Sequence, residues 1–393
     1  MNQDVGKSRA QGECSLETGS AYVLRRASVE DVPGIAKLLA QARERAAEQS
    51  MQLLQFERDA EAAHTEFEEE KRGIEATDQA FFVAGPRDEE PTVVLQCRHM
   101  EGVPPVYNPG RSVLVLQGFH SEADEVALVG SKLVDEAVRW SKGLSQKGSL
   151  FVTSVTWNHE DSRQEVLQQF HTTSALQSDP SYRELFTIGD EAARMKPAAH
   201  WYFQESKEML QALQHGSSSG VTVRRAEEAD IEAMVQLSKL KRHDYARYQP
   251  VFWRPAEDAE QKQVGFFSWL IQHPQNALFV SQEADGTLNG FIIALPRERL
   301  PMLDSALTMR NGLHIDDFAV KSDALWDTAR RVLLASAVEA HEKHTGKSAV
   351  INVVSGAHDI DKRRFLSEEA GMRSLYSWDI LPSGNLFGRQ GGK

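Results

Sequence analysis

Cysteine is almost absent, with only Cys14 and Cys97 in 393 residues. One lies in a polar N-terminal segment and the other in an apolar run, so a disulfide framework is excluded and neither has metal-ligand spacing. That usage fits a reducing compartment, and the expected location is cytoplasmic. Long apolar runs are also lacking. No stretch approaches the length that spans a bilayer, and the opening MNQDVGKSRAQGECSLETGS has no apolar core of a secretory signal. Basic charge is in deficit, with a formal net charge of −13. Phosphate backbones and anionic membranes are bound by clustered Lys and Arg, so neither is expected as a partner.

What remains is ordinary globular material, 41% hydrophobic and 26% charged. A chain of 393 residues exceeds a single common core, since domains run to roughly 100–200 residues. Two domains are the starting expectation.

An internal repeat sharpens this. Arg25, Arg26, Ala27, Asp31 and Leu38 recur 199 positions later as Arg224, Arg225, Ala226, Asp230 and Leu237. Phe119 and Phe318, Ser149 and Ser348, His159 and His358, and Leu167 and Leu366 keep the same spacing, with Glu160/Asp359 and Arg163/Lys362 as conservative pairs. AFFVA at 80–84 parallels ALFVS at 277–281.

Each copy reads as the same series of elements. In the second, VTVRRA is a strand, and EEADIEAMVQLSKLKR and AEDAEQKQVGFFSWLIQ carry helical spacing. NALFVSQ, GFIIALP and NGLHIDDFAV form a meander. A helix from Ser322 to a Gly stop, the strand SAVINVVS, the helix IDKRRFLSEEAG and the strand RSLYSWDIL follow. The first copy repeats the plan from YVLRRA to RQEVLQQF, with a Glu-rich charged segment before its first hairpin. The expected boundaries are a disordered tail at 1–20, an N-terminal domain at 21–213, a linker at 214–220, a C-terminal domain at 221–382 and a tail at 383–393. The linker QHGSSSG contains a formal G-x-S-x-G, but a nucleophile elbow needs strand then helix, and here the order is reversed.

The order β-α-α-β-β-β-α-β-α-β, with Arg-Arg-Ala on its first strand, resembles the GNAT superfamily of N-acyltransferases. The resemblance spans nearly the whole chain twice and is strongest over IDDFAVKSDALW, ARRVLLASAVEAH and VINVVSGAHDIDKRRFLSEEAG. It implies a mixed α/β fold in two tandem copies, acetyl-CoA or another acyl-CoA as co-substrate, no metal, and an amine acceptor. In that family the turn after the long third meander strand holds pyrophosphate on backbone amides, with glycines allowing close approach. Here the corresponding positions are Leu325, Thr328 and Arg330. Thr328 can donate a hydrogen bond and Lys321, Arg330 and Arg331 supply charge, with Trp326 either stacking on the ligand or plugging the groove. In the first copy Glu122, Asp124 and Glu125 precede Lys132, so that copy is expected not to bind coenzyme A.

The resemblance also places thioester-carbonyl donors at the amides of Phe318, Ala319 and Val320. Asp316 or Asp317 is the candidate base, one expected on each face by strand alternation. The family's last-helix tyrosine has no match in HDIDKRRFL, which leaves His358 as candidate acid; a structural cap is the competing reading. Tyr245, Tyr248, Trp253 and Arg254, with His243 near them, sit where the acceptor wall is expected, although Phe252 and Trp253 can equally pack under a Pro-bounded loop. His341 and His344 share a helix face and are read as a solvated helix end. Two functions stay open: an acyltransferase working through its C-terminal copy, or a binding or scaffolding protein that has lost turnover.

Overall fold

The computed structural model describes residues 12–15, 21–56, 60–87, 89–101, 106–121, 126–145, 150–157, 196–214, 220–250, 252–273, 275–300, 307–321 and 326–380. The first half runs β1 (Gly12–Ser15), β2 (Ala21–Arg26), α1 (Val32–Gln49), α2 (Ala60–Glu75), β3 (Gln79–Pro86), β4 (Val93–Met100), β5 (Ser112–Ser121), α3 (Val126–Leu144), β6 (Leu150–Trp157), β7 (Lys196–Glu205) and α4 (Ser206–Leu213). The second half runs β8 (Val221–Arg225), α5 (Ile231–Tyr248), α6 (Ala259–Gln272), β9 (Ala277–Glu283), β10 (Leu288–Pro296), β11 (Leu313–Val320), α7 (Trp326–Thr345), β12 (Val350–Gly356), α8 (Ile360–Arg364) with a π turn (Phe365–Glu369), and β13 (Arg373–Ile380). No described helix is long and apolar enough to cross a membrane.

The repeated letters have a structural cause. Arg25 on β2 grips Asp31 with both guanidinium nitrogens, and Asp31 accepts the Ser28 amide at 2.7 Å, fixing the entry into α1. Arg224 and Asp230 repeat the grip at 2.7 and 2.8 Å, and the Glu227 amide meets Asp230 at 2.8 Å. A β-bulge also recurs. The β4–β5 register skips Gln117 and the β10–β11 register skips Asp316, which are equivalent positions in the repeat.

All the described strands join one thirteen-stranded sheet in the order β1-β2-β3-β4-β5-β6-β13-β7-β12-β11-β10-β9-β8. Each half therefore ends in a strand that serves the other: β7 lies on β12, β13 lies on β6, and β7 and β13 pair with each other at the centre. The sequence reading ended the second copy on RSLYSWDIL and the first on RQEVLQQF, so it assigned neither β7 nor an exchange of terminal strands. Trp201 and Phe203 of β7 and Tyr376 and Trp378 of β13 line one face of the paired strands and bury the joint between the halves in a single cluster.

Two further departures appear. Gly12–Ser15, within the tail expected to be disordered, pairs with Ala21–Leu24, using the open edge of β2. The Glu-rich segment forms α2, where Glu70 pairs with the buried Arg43 at 3.4 Å. Of the expected linker, residues 215–219 lie outside the described residues.

Candidate functional site

Strands β11 and β12 are parallel, and they pair only from Leu313–Ile315 to Ile351–Val353 before separating. The separation follows directly on the bulge at Asp316, because an extra residue bends the strand and raises its twist. The result is a V-shaped splay at the strand ends, flanked by α5, α7 and α8.

The bulge overturns the expected alternation of the two aspartates. Ile315 and Phe318 both pack in the core with Leu333 and Leu334 of α7, so the residues between them lie on the α5 side. Asp317 accepts an ion pair from Lys241 and a 3.4 Å hydrogen bond from Ser238, both on α5. Burial disfavours the Lys241 ammonium, yet Asp317 overrides this and holds its pKa well above the ordinary lysine value. Asp316 remains 43% exposed, 3.5 Å from Nε2 of the buried His314. Burial acts to raise its pKa, and the bond from His314 draws it below the ordinary carboxylate value.

The three backbone donors divide. The Lys321 amide donates to Asn289 O at 2.8 Å, which by antiparallel alternation turns the Ala319 amide toward β10 and those of Phe318 and Val320 toward the splay. The Phe318 amide meets its neighbour's carboxylate, Asp317 Oδ1, at 2.9 Å.

Across the splay, Asp359 caps α8 by accepting the Lys362 amide at 3.0 Å. That places Lys362 inward, 3% exposed, with Nζ donating to Val354 O at 3.0 Å and lying 5.2 Å from the Phe318 ring centroid. Burial and nearby Lys241 lower its pKa to about 7, against Asp359 and Asp317. His358 stacks on Tyr248 at 5.1 Å and meets the edge of Tyr245 at 4.5 Å. Its Nδ1 is buried with no hydrogen-bond partner among the described residues, and burial lowers its pKa despite Asp359 and Asp244. Gly356 permits this approach, because a Cβ there would stand 2.6 Å from His358 Cε1 and 2.9 Å from Tyr245 Cζ.

Tyr245, Tyr248 and Trp253 come together with His358, whereas the Arg254 side chain is exposed and its carbonyl accepts the Asn108 amide at 2.8 Å. Tyr245 and Trp253 are buried in an aromatic cluster with Phe252 and Trp378. Tyr107 enters it from the first half, its ring 4.9 Å from that of Trp253. Tyr248 ties to β7 through Pro197 O at 3.1 Å.

The phosphate end differs from expectation. Residues 322–325, Leu325 among them, and the side chain of Trp326 lie outside the described residues. Thr328 and Lys321 are half-buried. Arg330, expected to attract phosphate, is 2% exposed, with its guanidinium 5.0 Å over the Phe365 ring and 3.6 Å from Asp327. It shares the buried face of α7 with Ala329, Leu333 and Leu334, and burial lowers its pKa to about 10. Arg331 is paired with Glu369 of the π turn. His341, read as solvated, is buried and bonds Asn311 O at 2.9 Å.

In the first half, the positions equivalent to Lys241, Tyr245, Asp316 and Asp317 hold Ala42, Ala46, Gln117 and Gly118. Lys132 is exposed there, while Glu122, Asp124, Glu125, His159 and Glu160 lie outside the described residues. Lys241, Lys362 and Tyr107 escaped the sequence reading. The signal that could have found Lys241 is its loss, together with Asp317 and Tyr245, from the first copy.

No family model and no curated protein matches the sequence. Solved structures do match. A GCN5-related N-acetyltransferase from Sphaerobacter thermophilus is 12% identical, with 91% of this chain and 94% of that one covered at a TM-score of 0.52. A tandem GNAT protein from the clavulanic acid biosynthesis pathway is 11% identical over 91% of this chain and 97% of its own, at 0.45. A GNAT-family acetyltransferase from Colwellia psychrerythraea is 12% identical over 92% and 99%, at 0.41. At such identities likeness speaks for architecture alone: this chain has the fold of the GCN5-related N-acetyltransferases, and the order β-α-α-β-β-β-α-β is present in both halves among the described residues.

Proposed function

We propose that the chain moves an acyl group, most simply acetyl, from acyl-CoA to an amine, using the splay of its second half. The two copies, 21–213 and 221–382, divide the work: the first is a structural partner that lends Tyr107 and β7 to the second. The observation that carries this reading is the asymmetry between equivalent positions. Lys241, Asp317 and Tyr245 line one splay, and Ala42, Gly118 and Ala46 stand at their places in the other.

In this scheme the Val320 amide receives the thioester oxygen as it becomes negative, the Phe318 amide being held by Asp317. Asp316, the exposed carboxylate, attracts the cationic amine and with His314 behind it accepts the proton, so that the neutral nitrogen attacks the carbonyl carbon. The carbon–sulfur bond breaks and the thiolate leaves. Tyr245, Tyr248, Trp253 and His358 form the acceptor wall. Burial favours the neutral form of His358, which suits it to that wall better than to proton donation. Thr328, Lys321 and the start of α7 meet the diphosphate.

A second reading is favoured by Arg330 being buried and Arg331 being tied to Glu369, which leaves few cations for a diphosphate. On that reading the splay binds a ligand without turnover. Calorimetric titration with acetyl-CoA, run beside a thiol-release assay over a panel of primary amines, separates the two. Binding with amine-dependent thiol release supports the transferase, binding alone supports the second reading, and absence of binding overturns both.

A further inference from the structure

Lys362 stands apart from the other cations of α8. Arg364 is largely exposed and Arg363 spends its guanidinium on Tyr202 Oη at 3.2 Å and Ala357 O at 3.0 Å. Lys362 instead folds inward, because Asp359 fixes the first turn of α8 and sets its side chain toward the splay. Its Nζ contacts both walls. It donates to Val354 O, the first β12 carbonyl beyond the last residue paired with β11, and it lies against the ring of Phe318 on β11.

A buried ammonium needs a compensating anion. The acids of this neighbourhood serve elsewhere: Asp317 is engaged by Lys241, and Asp359 accepts the α8 amide. A neutral ε-amine satisfies the same geometry, with one N–H on Val354 O and its lone pair directed away from that bond. The protein thus holds an amine nucleophile in the cleft that an acyl thioester is proposed to enter.

We infer that Lys362 is an internal acyl acceptor, so that the chain acylates itself at this residue. The inference rests on the acyl-CoA reading given above. The Nζ lone pair attacks the thioester carbonyl carbon, a carbon–nitrogen bond forms, the carbon–sulfur bond breaks, and the proton lost by nitrogen ends on the thiolate. The products are an ε-N-acyl-lysine and free coenzyme thiol, with no further reactant. The amide so formed occupies the splay and removes its titratable amine, so the modification limits the protein's own acyl-CoA binding.

The test uses the full chain and acetyl-CoA, with peptide mapping by mass spectrometry after timed incubation. Acetylation of Lys362 is expected ahead of the exposed Lys239 and Lys262, with a rate that levels off near pH 7 rather than climbing to the range where exposed lysines deprotonate. Because this pH profile is read on the unaltered protein, it does not depend on whether Lys362→Arg folds. Where that variant folds, it is expected to bind acetyl-CoA and stay unmodified in the cleft. Calorimetric binding of acetyl-CoA without modification of Lys362, or modification only with the pH profile of surface lysines, overturns the inference and leaves the binding reading standing. Absence of binding overturns that reading and this inference together.

Discussion

Lys241 of α5 reaches across to Asp317 of β11 and forms the ion pair that anchors the helix to the strand just past the bulge. Both side chains are mostly buried, 21% and 16% exposed. Removing one partner leaves the other as an uncompensated charge, so Asp317→Asn or Lys241→Met should destabilise the chain by about 2–4 kcal/mol, somewhat less than for a fully enclosed pair. The double variant should recover most of that loss. Denaturant midpoints of the four proteins decide, and additive single-variant losses would rule out the coupling.

Asp31 and Asp230 are expected to govern acid stability. Burial pushes each carboxyl up, and the arginine and backbone bonds prevail, leaving both below the ordinary value of 3.8. Their contribution is therefore complete above the ordinary value and is lost as pH falls through the lower folded-state value. Asp31→Ala and Asp230→Ala should each cost about 1–2 kcal/mol at neutral pH, as loss of a helix-entry cap does, and should flatten the acid limb. Circular dichroism against pH checks this in both halves.

Lys362 gives a dependence in the opposite range. Its folded pKa of about 7 lies below the unfolded lysine value, so between the two the unfolded chain binds more protons and stability rises with pH. That stability is complete above the unfolded value and is lost as pH falls to 7. Lys362→Met should abolish the rise. Thermal or denaturant unfolding between pH 6 and pH 10 provides the readout, and an unchanged slope in the variant would contradict it.

The crossed terminal strands predict mutual dependence of the halves. Ending the chain before Arg373 removes the strand between β6 and β7, which should destroy cooperative unfolding of the whole sheet rather than of the second half alone. Residues 1–214 and 220–393, co-expressed as separate chains, should co-purify. Separate folding of each piece, with no association, would contradict the crossed arrangement.

The elements and their repetition were legible because they follow local periodicity, and Arg25–Asp31 and Arg224–Asp230 gave the repeat its clearest letters. Strand exchange was not, since pairing is non-local and β7 lies well beyond where the repeat spacing of β13 would place it. The aspartate pair was found, but alternation misplaced it because a bulge leaves no mark in a strand of ordinary composition. Arg330 was misread for a different reason. Its charge suggested a surface role, whereas the phase of α7 sets it beside Leu333 and Leu334 against the Phe365 turn. Lys362 drew no role from the sequence, because a run of three cations does not show which of them turns inward; the Asp359 cap that fixes the start of α8 decides it.

The central claim is that the second splay, and not the first, receives acyl-CoA. Hydrogen–deuterium exchange with and without acetyl-CoA tests it most directly, because it reports each half separately in one unaltered chain. Slowed exchange is expected at residues 316–330 and 354–362, with 117–131 unchanged. Protection confined to 117–131, or none in either region at saturating ligand, would contradict the account.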